Sequence, residues 1–293
     1  MEHHTITAPV AGCMRWGKWG ANYSTAEYRT IIDGCLEAGI TSFDHADIYG
    51  DYTTEAEFGA ALAEAPHLRT QMQLISKCGI RMVTPNRPEH LLKSYDTSAD
   101  HIIQSVEQSL KNLHTDYLDL MLIHRPDPLL HPGEVAKAVD SLLAAGKILA
   151  FGVSNFLPHQ TDLLMRYTQV RYNQFECSIT ATDPFFNGIL DHCMQHQIIP
   201  MAWSPMGGAK LFDAGNEVYM RILPIATQIA QAYHTGVNEV LLAFLHKHPA
   251  GILPVVGTSK LSRLQEAKRA TQISLHRADW FALLEAARGH VVA

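Results

Sequence analysis

The sequence predicts an α/β protein built as a (β/α)8 TIM barrel, and three observations carry that expectation. Eight short apolar runs alternate with longer amphipathic stretches from one end of the chain to the other. Such alternation is the pattern of parallel βαβ units. Eight units in 293 residues match a closed barrel in count and length. No stretch rich in Pro, Gly or Ser divides the chain, so residues 1–293 read as one domain. An open doubly wound sheet is the competing architecture, and the count of units favours closure.

The strands are expected at 10–14 (VAGCM), 40–43 (ITSF), 73–76 (QLIS) and 118–123 (LDLMLI). Four more follow at 148–153 (ILAFGV), 170–175 (VRYNQF), 198–203 (IIPMAW) and 251–256 (GILPVV). Each is a short apolar run of the kind buried on both faces in a parallel sheet. Helical spacing fills the gaps, as in TAEYRTIIDGCLEAG at 25–39 and DHIIQSVEQSLKNL at 100–113. Thr54 and Glu57 predict a capping box at the helix after the second strand. Pro158 predicts a helix start with its cap near Leu157. The stretch 79–100 is long for a barrel loop, which suggests a wall or cover for a pocket. The chain ends just after a helix containing Trp280 and Phe281, and a short tail implies an open pocket.

Composition bounds the class. The chain is 47% hydrophobic and 18% charged, with 23 basic and 29 acidic residues for a net charge of −6. That balance leaves no footprint for nucleic acid. The start, MEHHTITAPV, has neither a basic n-region nor an apolar h-region, and no apolar run approaches a membrane span. Five scattered cysteines, never spaced C-x-x-C, argue against a disulfide framework and suit a reducing cytoplasm.

A barrel confines chemistry to the C-terminal ends of its strands and the loops beyond. There the second strand ends in Asp44, the third in Lys77 and the fourth in His124, with Tyr49 in the loop after the second. Each has an ordinary structural role available: a loop tie, a solvated lysine, a rim histidine, a turn aromatic. All four at adjacent strand ends make coincidence a poor explanation. A free tyrosine, with a pKa near 10, is a sluggish acid at neutral pH. An ammonium about 4 Å away at an effective dielectric of about 20 is worth roughly 4 kcal/mol, or about three pKa units before desolvation. Asp44 would hold Lys77 charged, and His124 would orient an electrophile's oxygen. No nucleophile stands in the group, so the set suits carbonyl reduction better than acyl transfer.

No G-x-G-x-x-G follows a strand, so a dinucleotide would need another cradle. The eighth strand runs into GTSK at 257–260 and then a helix, an arrangement that supplies backbone N–H groups and a helix dipole to an anion. Lys260 and Arg263 share a face of that helix and fit a phosphate monoester such as the 2′-phosphate of NADPH. Ser154 and Asn155, after the fifth strand, are not needed as caps and are free for another task. Gln174 ends the sixth strand, and Trp203 ends the seventh before a flexible SPMGGAK turn. His192 and His196 stand at metal-ligand spacing with Cys193 between them, but no third ligand stands out, and no metal is expected.

The segments FDHADIYG (43–50), ISKCG (75–79), LIHRPD (122–127), FGVSN (151–155), NQFE (173–176), AWSPMGG (202–208) and PVVGTSKLSRLQEA (254–267) resemble, in order and spacing, the aldo-keto reductase superfamily. The likeness covers nearly the whole chain and is nearest to bacterial oxidoreductases with a D-H-A-D-I-Y-G segment. It implies NADPH-dependent reduction of an aldehyde or ketone by direct hydride transfer, with Tyr49 as general acid and Asp44, Lys77 and His124 as its partners. It also implies that Ser154, Asn155 and Gln174 hold the carboxamide while Trp203 stacks on the ring. Ser204, Met206, Gly208 and Lys210 would approach the pyrophosphate. Gly257, Ser259, Lys260, Arg263 and Glu266 would bind the adenosine phosphate. Trp16, Trp19 and Arg125 are the candidate substrate contacts, and Arg125 would favour anionic carbonyl compounds. His45, Arg125 and Ala267 depart from the family's common Thr, Trp and Asn, and the last puts adenine contact in doubt. Some relatives act as NADP-binding, redox-sensing regulatory subunits, which is the alternative to an enzyme.

Overall fold

The computed structural model describes residues 5–213 and 215–292. Eight parallel strands close into a barrel: β1 (Val10–Gly12), β2 (Ser42–Asp44), β3 (Gln73–Cys78), β4 (Leu120–Ile123), β5 (Phe151–Ser154), β6 (Tyr172–Glu176), β7 (Ile199–Trp203) and β8 (Leu253–Val256). Each pairs with its sequence neighbours, and β1 closes against β8 through Val10 opposite Val255. Helices wrap the outside, among them α1 (Thr25–Glu37), α2 (Thr54–Ala63), α3 (Ala99–Asn112), α4 (Pro132–Ala144), α5 (Pro158–Met165) and α6 (Ile189–His196). Four more follow: α7 (Glu217–Ala232), α8 (Val237–His246), α9 (Leu261–Ala270) and α10 (Arg277–Arg288).

The strands sit where the apolar runs predict them, but several are shorter at their N-terminal ends. Leu118 and Ile148 form only an isolated bridge before β4 and β5 begin. Cys13 and Met14, expected in the first strand, lie in a 3-10 turn over Cys13–Arg15, closed by the Trp16 N–H on the Cys13 carbonyl. The predicted capping box does not form. Thr54 is the first residue of α2 rather than its cap, its buried hydroxyl has no hydrogen-bond partner, and the preceding turn over Tyr49–Tyr52 passes through left-handed backbone at Gly50, Asp51 and Tyr52. Glu57 instead accepts from the Tyr28 hydroxyl. The cap at Leu157 with Pro158 first in α5 is as expected.

Inside the barrel, Val10, Ile75, Leu120, Leu122, Tyr172, Met201 and Val255 form an apolar plug. Outside it, two larger clusters join strands to helices. The long stretch after β3 folds partly into a small antiparallel ladder of Ile80–Arg81 against Ser94–Tyr95. The five cysteines are buried and free.

Candidate active site

Side chains on a strand alternate between faces, so a residue two positions beyond a barrel-plug residue also points inward. Applying that step to Val10, Ser42, Ile75, Leu122, Gly152, Tyr172, Met201 and Val255 gives Gly12, Asp44, Lys77, His124, Ser154, Gln174, Trp203 and Gly257. The plug is therefore capped by one predominantly polar layer. Glycine at 152 is required, because a Cβ there would lie 2.6 Å from the Tyr172 carbonyl oxygen. Above this layer opens a cavity of about 1200 Å³, bordered by Asp44, Tyr49, His124, Trp203 and, at its far end, Lys260 and Arg263.

Lys77 is the hub. Its ammonium donates to Asp44 Oδ2 at 2.6 Å, to the His45 carbonyl at 2.7 Å and to the Tyr49 hydroxyl at 3.0 Å. All three N–H groups are thereby used, as burial at 2% exposure demands. Gln174 Nε2 donates to the other oxygen of Asp44 at 3.0 Å. Burial works against the Lys77 charge, but Asp44 and Tyr49 outweigh it and hold the ammonium above its ordinary pKa.

Tyr49 accepts from Lys77, which leaves its own O–H to point elsewhere. Its expected acidification does not win in this structure. Desolvation pushes the phenol up, and the Lys77 charge only partly offsets it. The tyrosine thus stays protonated, with a cation in contact with the oxygen that would carry charge after proton loss. His124 meets Tyr49 edge to face with ring centroids 6.1 Å apart. Burial, then the charges of Lys77, Arg125 and Lys93, drive its pKa well down, so it is neutral at pH 7. His45 is fully buried against Phe58, and burial lowers it to about 3.

Ser154 and Asn155, expected to be free, are not. Trp203 Nε1 donates to Asn155 Oδ1 at 2.9 Å, Asn155 Nδ2 donates to Ser154 Oγ at 2.8 Å, and Ser154 Oγ donates to the Gln174 carbonyl at 2.9 Å. Asn155 adopts a φ of 62°, a left-handed conformation that Asn tolerates better than most residues. The chain of bonds fixes the Trp203 ring at the cavity wall, and the Arg125 guanidinium lies 5.8 Å from its centroid.

The far end is built differently. Lys260 and Arg263 line the cavity at the start of α9 and have no side-chain partner among the described residues. The loop before them is tied from behind: Trp16 Nε1 donates to the Thr258 carbonyl at 2.8 Å, and the Tyr23 hydroxyl donates to the Ser259 carbonyl. Ser204, Met206, Gly208, Gly257, Ser259 and Glu266 also border the cavity. The Lys210 side chain lies outside the described residues.

Trp16 is the sequence-predicted contact that the fold removes from the site. It is fully buried among Tyr23, Tyr28, Phe43 and Phe58 and reaches the cavity only through the loop it anchors. Trp19 does line the cavity, held by Asp51, with its ring centroid 6.2 Å from that of Tyr49. Lys93 and Tyr95, from the stretch after β3, wall the mouth. Asn238 also borders the cavity and donates to Glu266 at 2.9 Å. These three were missed because no motif marks them. Ala267 is buried, so it offers the cavity nothing.

The sequence profile of the Aldo/keto reductase family matches residues 10–288. Among curated proteins, an uncharacterized oxidoreductase, YcsN of Bacillus subtilis, is 43% identical over 96% of this chain and 94% of its own. A 6-dehydroglucose reductase of Agrobacterium fabrum is 42% identical, covering 95% of each. Among solved structures, an aldo/keto reductase from Klebsiella pneumoniae in complex with NADP and acetate superposes with a TM-score of 0.77 at 25% identity, covering 96% of this chain and 90% of that one.

Proposed function

The chain belongs to the aldo/keto reductase family, and from that premise we propose that it reduces a small carbonyl compound with NADPH, Tyr49 serving as general acid. The observation that carries this reading is the Lys77 hub: an ammonium whose three bonds end on Asp44, a backbone carbonyl and the Tyr49 hydroxyl. The cavity supports the choice of cofactor. It is lined by Tyr49 and Trp203 and by two unpaired cations at a helix N-terminus, a charge distribution suited to a phosphorylated dinucleotide.

Lys260 and Arg263 would take the 2′-phosphate, and the Trp203 ring, fixed by Asn155, would face the nicotinamide. Asn238, bonded to Glu266, would be the residue able to offer the adenine an amide where Ala267 offers none. When bound, the cofactor supplies the hydride for the carbonyl carbon. Tyr49 donates its proton to the carbonyl oxygen, and Lys77 stabilises the negative charge left on the phenol oxygen. His124, kept neutral by burial, orients that oxygen by hydrogen bonding without competing as an acid. Asp44 keeps Lys77 charged, and Gln174 keeps Asp44 oriented.

Two aromatic walls, Trp19 and Tyr95, beside the cations Arg125 and Lys93 suit a polyhydroxylated carbonyl compound, in keeping with the relative named as a 6-dehydroglucose reductase. The test is NADPH oxidation against sugar aldehydes, simple aldehydes, ketones and carboxylated carbonyl compounds. Tyr49→Phe is expected to lower turnover by about 10²- to 10⁴-fold with NADPH affinity retained. Tight NADPH binding without turnover of any substrate would favour the regulatory reading. Undiminished turnover in Tyr49→Phe would remove Tyr49 from the mechanism.

A further inference from the structure

Asp162 on α5 and the pair His192 and His196 on α6 bring three donor atoms together on the outer ring of helices. The two histidines stand one turn apart on one face of α6, with ring centroids 4.6 Å apart. Asp162 Oδ1 lies 2.7 Å from His192 Nε2 and 3.6 Å from His196 Nε2, and one donor atom from each of the three falls within 4.8 Å of the others. A tetrahedral ion with bonds of about 2.0–2.1 Å separates its ligands by about 3.3 Å. The two Asp162 distances bracket that value, and the third pair of donors lies within 4.8 Å, so side-chain rotations would seat the ion. Asp162 thus supplies the third ligand that the sequence alone does not reveal.

We infer that Asp162, His192 and His196 form a binding site for a divalent transition ion, with zinc as the best match, which cross-links α5 to α6. Two imidazole nitrogens and one carboxylate oxygen suit this borderline ion and leave a fourth position for water. His192 Nδ1 is buried without a hydrogen-bond partner. A ligating histidine ordinarily gives that second N–H to an acceptor, and its lack weakens a site by about 10- to 100-fold. The site is therefore a reversible one.

It is also remote from the chemistry. His196 borders a separate cavity of about 550 Å³ at the starts of β6 and β7, near Tyr172 and Ile199, and no residue lining it lines the catalytic cavity. Cys193, between the two histidines, is buried in the core.

The experiment is calorimetric titration of tag-free protein with Zn²⁺, alongside thermal denaturation with zinc and with a chelator. Wild type is expected to bind one equivalent reversibly and to gain thermal stability, which the chelator reverses. His196→Ala and Asp162→Asn should each weaken that equivalent by about 10-fold or more, a loss at least equal to that of an outer partner. Both should reduce the thermal gain at a fixed zinc concentration and leave NADPH oxidation unchanged in metal-free buffer. Asp162→Asn can still accept from His192, so a fold defect is separable from ligand loss by its zinc-free melting point. No bound equivalent in wild type, or equal affinity in wild type and both variants, overturns the proposal and leaves an ordinary Asp–His contact.

Discussion

Lys77 and the pair Lys260 and Arg263 bring the same charge to the same cavity by opposite constructions. Lys77 is buried, and each of its N–H groups has an acceptor. Lys260 and Arg263 are exposed and unpaired among the described residues. A buried charge must be satisfied by the protein before any ligand arrives, whereas an exposed one is satisfied by water until a ligand displaces it. One part of the cavity lining is therefore organised during folding, and the other would be completed by the proposed cofactor.

The contrast can be broken most forcefully at Lys77. Lys77→Met leaves Asp44 buried and without its cation, which is expected to cost about 3–5 kcal/mol of stability in urea unfolding together with most of the activity. If Lys77→Met unfolds at the wild-type urea midpoint, the hub is not a buried ion pair of consequence.

A second prediction uses pH. His45 is held neutral, with a folded pKa of about 3, and His124 is also held well below its ordinary value. The unfolded chain protonates both near pH 6.5. The His45 contribution is thus fully present above that pH and is lost as pH falls from about 6.5 toward 3, by up to about 1.4 kcal/mol per pH unit, and His124 acts in the same direction. His45→Asn should flatten the acid limb of a stability–pH curve. An unchanged slope would mean that the folded protein accommodates the charged ring.

The smallest effect on the fold belongs to the open end. Lys260→Ala and Arg263→Ala should leave stability within about 0.5 kcal/mol. Each should raise the Kd for NADPH by roughly 10- to 100-fold, as expected for a charge-assisted bond worth about 1.5–3 kcal/mol, with little change for NADH. Equal losses for the two cofactors would take the cations away from the 2′-phosphate.

Much of the site was legible because a strand has a period of two. Asp44, Lys77, His124, Gln174 and Trp203 could be read from the ends of apolar runs, and the barrel turns those ends into one layer. Trp16 could not be placed, because its buried partner, the Thr258 carbonyl, lies 242 residues away. Thr54 and Glu57 match a capping box in spacing, yet the helix begins at Thr54 itself, which takes it out of the cap position, and Glu57 is bonded by Tyr28 from α1. Ser154 and Asn155 looked idle because their partners, the Gln174 carbonyl and Trp203, come from other strands.

Residue order was enough to specify the alternation of strand and helix, the chemistry available at each strand end and the absence of a G-x-G-x-x-G loop. These follow from local spacing. Tertiary structure decided the direction of the Tyr49 shift, the burial of Trp16 and the meeting of Asp162 with His192. Each depends on which distant groups exclude water from a given atom, and desolvation is a property of the assembled packing rather than of any segment.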